Sequence, residues 1–99
     1  MQNESVTTGR NLQLPENLDL VAAAALTETL LSMRGSDVSV DGSAVQRIGG
    51  QCLQILLSAQ VTWNTEGASL EFINLSDEFV KGVELLGVPP QKFANQELF

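Results

Sequence analysis

Three groups of residues in this 99-residue chain could do chemistry. The first is Asp41 with Ser43, at the end of Val38-Ser39-Val40-Asp41-Gly42-Ser43. Apolar–polar alternation followed by Asp-Gly-Ser reads as a short strand running into a loop, where catalytic side chains often stand. The same residues also make a good turn, in which the Asp41 side chain accepts from backbone N–H groups. The second is Cys52, at the start of an apolar helix, where the helix dipole assists a thiol towards the thiolate. Flanked by Leu53, Ile55 and Leu56, it also reads as a small core residue. The third is the helix start itself, Gly49-Gly50-Gln51-Cys52. Free N–H groups at a helix N-terminus suit an anion or a phosphate. No Ser, Thr, Asp or His stands there to carry a phosphoryl group.

A nucleophile needs a base, and with no His in the chain only carboxylates and Lys are left. No P-loop, paired-Cys motif, dinucleotide loop or calcium loop occurs. The reading is a non-enzyme without metal or cofactor; an active site of Asp41, Ser43 and Cys52 is the competing view. The net charge is −7, from 12 acidic and 5 basic residues, with no basic cluster. That excludes nucleic acid and anionic membrane surfaces as partners. The single Cys cannot form an intrachain disulfide and points to a reducing, cytoplasmic setting. Met1–Arg10 lacks the apolar core of a leader. The longest apolar runs, Leu18–Leu26 and Cys52–Ala59, fall far short of the ~20 residues of a membrane span.

The elements that must position these groups can be read from the pattern. Residues 1–10 form a flexible N-terminus or edge strand, 11–88 one domain, and 89–99 a tail. A strand at Asn11–Leu14 stops at Pro15. A helix from about Leu20 to Met33 starts at a cap, Asp19, and places Ala22, Leu26, Leu30 and Met33 on one face. Val38 and Val40 mark a strand, and Ile48 plugs the core before a helix from Gly50 to Trp63. Leu70 and Phe72 mark another strand. Ser76 opens a helix from Asp77 to Leu86 with Phe79, Val80, Val83 and Leu86 on its apolar face. Strands alternating with helices imply parallel pairing through crossovers, hence an α/β layered domain. Three to four helices then pack on a small parallel or mixed sheet.

The central helix is apolar over more than half its circumference. Cys52, Ile55, Leu56, Ala59 and Trp63 form one stripe, and Leu53, Leu57 and Val61 a second. A sheet covers one side only, so the remainder must meet a neighbouring helix, a second copy or a partner protein. The polar stripe Gln51, Gln54, Ser58 and Thr62 carries no charge and can meet a partner without desolvating an ion. The expected partner-binding residues are Gly50, Gln51, Gln54, Leu57, Ser58 and Val61. In the tail, Phe93 and Leu98-Phe99 imply docking, on this domain or in a partner groove.

Three segments, Leu12–Leu31, Asp37–Ala59 and Ser69–Val88, together resemble the STAS domain, the fold of anti-sigma-factor antagonists. They are similar to its strand-to-helix opening, its Asp-x-Ser-x-Val step into the central helix, and its closing strand and helix with Leu-Gly. The resemblance implies a STAS-like layered α/β fold and a regulatory, protein-binding role. Switch-type members carry Asp-Ser-Ser-Gly or a similar sequence at the start of the central helix, where a kinase phosphorylates a Ser. Aligned on Leu53, Gln51 takes the place of that Ser and Gly49 that of the acidic residue. Glutamine has no hydroxyl to phosphorylate, so the resemblance implies an adaptor that works without phosphorylation. It favours a small free-standing STAS protein on a bacterial chemotaxis histidine kinase. The alternatives are a STAS subunit on the ATPase of a lipid-transport ABC system and a partner-switch protein that binds an anti-sigma factor.

Overall fold

The computed structural model describes residues 9–94. Its elements alternate in the expected order. They are β1 (Arg10–Gln13), β2 (Asn17–Leu18), α1 (Leu20–Ser32), β3 (Val38–Asp41), β4 (Arg47–Ile48), α2 (Gly50–Thr65), β5 (Leu70–Ile73) and α3 (Asp77–Leu85). A short 3-10 turn, Pro90–Phe93, follows. The N-terminal segment expected to be flexible or an edge strand falls outside the described residues as far as residue 8, while Arg10 belongs to β1.

The fold is α/β; the described residues form three α-helices and a small parallel sheet in the order β1-β3-β5. The register aligns Leu12, Val40 and Phe72 in one row and Arg10, Val38 and Leu70 in the next. Alternation then decides the faces: Val38 and Val40 are buried, while Ser39 and Asp41 are half-buried. The core joins this face to Leu26 and Leu30 of α1, Leu53 and Leu56 of α2, and Phe79 and Val83 of α3. Each of these helices therefore buries one stripe against a shared layer, the arrangement that covers a parallel sheet.

Two features were not legible from periodicity. The first is the pair β2–β4, two residues per strand, with Leu18 beside Ile48. It ties the loop before α1 to the loop before α2, reinforced by the Gly49 N–H donating to the Leu18 carbonyl at 2.9 Å. The second is the close packing of α3 on β4: a Cβ on Gly82 would come within 2.5 Å of Ile48 Cγ2. Helices α2 and α3 both end in a reciprocal pair of bonds closed by a left-handed glycine. The Ala68 N–H reaches Trp63 and the Val88 N–H reaches Val83, with Gly67 at φ 76° and Gly87 at φ 90° between.

The tail docks on its own chain as far as it is described. Phe93 is buried and meets Phe72 and Phe79 edge-on, with centroids 4.9 and 5.2 Å apart. Gln60 Nε2 donates to the Lys92 carbonyl at 2.7 Å and holds the turn against α2. Leu98 and Phe99 lie outside the described residues.

Candidate protein-binding site

The six residues expected to bind a partner come together as one stripe of α2. At about 100° per residue they span roughly a third of the helix circumference. Gly50, Gln51, Gln54, Ser58 and Val61 are exposed, and Leu57 is half-buried at the stripe's edge. Val61 is 66% exposed, although a valine on a solvated helix face gains nothing from water. The second apolar stripe is therefore divided. Leu53 belongs to the core, Leu57 packs against it, and Val61 stands free of it.

Beside this stripe runs a groove of about 700 Å³ between α1 and α2. Leu30, Ile55, Ala59 and Trp63 supply its apolar surfaces, and Gln51, Gln54, Ser58 and Thr62 edge it from α2. Thr27, Leu31 and Arg34 form the α1 wall. At the far end Arg34 donates to Glu66, an exposed ion pair that joins the C-terminal ends of the two helices. The pair raises the Arg34 pKa and holds the Glu66 carboxyl below its usual range. Trp63 Nε1 donates to the Ser36 carbonyl at 2.8 Å, fixing α2 against the chain after α1. A groove with an apolar lining and an amide and hydroxyl rim accepts an apolar ridge while offering hydrogen bonds along one side.

The start of α2 differs from the starts of its neighbours. Asp19 Oδ1 accepts from the Ala22 N–H and Ser76 Oγ from the Phe79 N–H, each at 3.0 Å. Gly49, the residue that caps α2, has no side chain to do this. Gln51 is exposed in the first turn and points no hydroxyl at the surface.

Of the three residues of the competing catalytic view, Asp41 and Ser43 share one hydrogen-bond network and Cys52 lies in another. Asp41 Oδ1 accepts from the Ser43 N–H at 2.8 Å, and Oδ2 from Asn74 Nδ2 at 3.2 Å. Asn74 itself sits in the left-handed region, at φ 54°, where a short polar side chain is tolerated. Bonds from Ser43, by its hydroxyl and its N–H, and then from Asn74 hold the Asp41 carboxyl below its usual range. A carboxylate so engaged is a turn cap and a poor base. Cys52 is buried, and its Sγ donates to the Asp19 carbonyl at 3.4 Å. Its pKa is raised, first by burial and then by the negative Asp19. The burial bears out the reading of Cys52 as a small core residue; desolvation outweighs the help of the helix dipole, and the thiol stays protonated. Among the described residues no cluster of metal-ligating side chains occurs, and no helix is long and apolar enough to cross a membrane.

Sequence reasoning missed the α1 wall. Thr27, Leu31 and Arg34 lie off the Ala22–Leu26–Leu30 face, and the signal that could have found them was an exposed leucine, Leu31, with no place on that face. A family model described as Mlab, STAS domain matches residues 4–89. The chain belongs to the STAS domain family. STAS domains are generally non-catalytic regulatory modules, and their role is one of protein interaction or partner switching. No curated protein matches this STAS domain.

Proposed function

We propose that this STAS domain is a protein-binding adaptor that engages one larger protein through α2 without being phosphorylated at its helix start. One observation carries the reading: a charge-free exposed stripe, Gly50 to Val61, lies beside an apolar groove on a molecule that is otherwise acidic. Charged side chains are depleted at interface cores because desolvating them is costly, and this surface carries none along α2. Gln51 at the exposed first turn supports a constitutive contact, since a glutamine neither accepts a phosphoryl group nor mimics one.

The partner we favour is a bacterial signalling histidine kinase of the chemotaxis type, which implies a cytoplasmic location. The test is capture of partners by the tagged protein from its native lysate, repeated with Gln54→Arg and Val61→Arg. Both side chains are exposed, so the variants keep the fold. A histidine kinase recovered by the wild type and lost from both variants supports the adaptor. An ABC ATPase or an anti-sigma factor recovered in its place overturns the kinase reading and leaves the α2 surface as the binding site. Recovery unaffected by either variant overturns that surface as well.

A further inference from the structure

We propose that the exposed side of α1 is a contact between two copies of this chain, packed antiparallel about a two-fold axis. Leu20, Ala24, Thr27 and Leu31 carry it. All four are exposed, Leu20 by 72% and Leu31 by 58%, and none belongs to the core stripe of Ala23, Leu26 and Leu30. Their spacing of four, three and four is that of a helix–helix seam.

Two properties make a second copy the occupant. The seam reads the same in both directions, large–small–small–large with symmetric spacing, and an isologous interface requires that self-complementarity. A two-fold axis between Ala24 and Thr27 sets Leu20 of each copy against Leu31 of the other. The small side chains then lie at the crossing, where helices approach closest. The charges also fit this register. Glu28, the one charged residue of α1, falls opposite the other copy's alanine run, residues 22–25, with no like charge facing it. Arg34 projects past the start of the second copy's α1, where Asp19 stands. At about 1.5 Å per residue the two differ by about 3 Å along the axis. The guanidinium has five donors, and the Glu66 contact uses one nitrogen, so Arg34 can serve both carboxylates. Elsewhere a chain of net charge −7 repels its own copy.

Thr27 and Leu31 also wall the α1–α2 groove, so this contact borders the proposed partner surface without including the α2 stripe. Its test is independent of any partner. Sedimentation equilibrium of the full chain should give twice the chain mass, falling to the monomer on dilution. Thr27→Arg places two cations at the crossing and should leave a folded monomer with the circular dichroism of the wild type. Its melting temperature should no longer depend on concentration and should equal that of the wild type diluted to monomer. Leu85→Arg, at an 88% exposed position on α3, should leave the dimer intact. The register is tested by mixing Leu20→Cys with Leu31→Cys under mild oxidation. The mixture should cross-link, and either variant alone should not, while buried Cys52 stays unreactive. A monomer at every concentration, a dimer indifferent to Thr27→Arg or lost with Leu85→Arg, or cross-linking of one variant with itself overturns the proposal.

Discussion

The two flanks of α2 are built from similar residues and finished differently. On one flank Phe93 closes over Phe72 and Phe79, and Gln60 ties the tail to the helix. On the other, Leu30, Ile55 and Ala59 line an open groove with Leu31 exposed on its wall. The first flank converts apolar area into stability. The second leaves apolar area unburied, the kind of surface that often marks a binding site. The contrast separates residues that hold the fold from residues available to another molecule.

The largest effect should fall on the closed flank. Phe93 is 1% exposed, so Phe93→Ala should cost about 3–5 kcal/mol through lost transfer energy and the cavity left between two rings. Urea denaturation would read this as a lower midpoint with an unchanged slope. If the loss stays within a few tenths, the tail is not part of the core and the contrast fails. On the open flank the same measurement should show nothing for Gln54→Arg, because that side chain is exposed. Its effect should appear in binding: affinity for the captured partner should fall about tenfold or more, at least ~1.4 kcal/mol. Titration calorimetry with the purified partner would check this, and an unchanged Kd would place the interface elsewhere.

The helix starts sharpen the contrast. Ser76 caps α3 and also donates from Oγ to the Val45 carbonyl at 2.6 Å. Ser76→Ala should cost about 1 kcal/mol or somewhat more in a thermal melt. At α2 the change runs the other way. A Cβ on Gly49 meets nothing closer than the Leu18 carbonyl at 3.6 Å, so Gly49→Ser should fit and gain a few tenths of a kcal/mol. A loss of stability there would mean that the start of α2 needs glycine for reasons of space.

Much of this was legible in the sequence. The order of elements, the parallel pairing and the starts of all three helices followed from periodicity and from caps such as Asp19 and Ser76. The α2 stripe followed because burial on a helix obeys a fixed angle, so the residues left over after Leu56 and Trp63 face inward are the exposed ones. Other features depended on contacts between distant residues. A two-residue pair such as β2–β4 has no period to detect. The burial of Phe93 depends on Phe72 and Phe79 meeting it from other elements. Burial, the main cause of the raised Cys52 pKa, was legible from its apolar neighbours, but the added effect of Asp19 required knowing that it would be brought beside the thiol. The groove wall required knowing which side of α1 faces α2.

The smallest effect separates two carboxylates by the charge of their partners. Asp41, at the end of β3, and Glu66, at the end of the groove, both have depressed pKa values. For each, the unfolded chain binds the proton more tightly. The stability each contributes is complete above the ordinary carboxylate pKa and is lost as pH falls through the lower folded value. Their causes differ. Asp41 is held by neutral donors, Ser43 and Asn74, whereas Glu66 is held by the cation Arg34. Salt screens an exposed ion pair but leaves hydrogen bonds to neutral donors nearly untouched. Melting curves across the acid range should therefore show a shallower pH slope for Asp41→Asn at low and high salt alike. Glu66→Gln should flatten the slope at low salt only. If high salt erased both differences, Asp41 would answer to the general acidic field of the molecule and not to its turn, and the local account of this end of the sheet would fall.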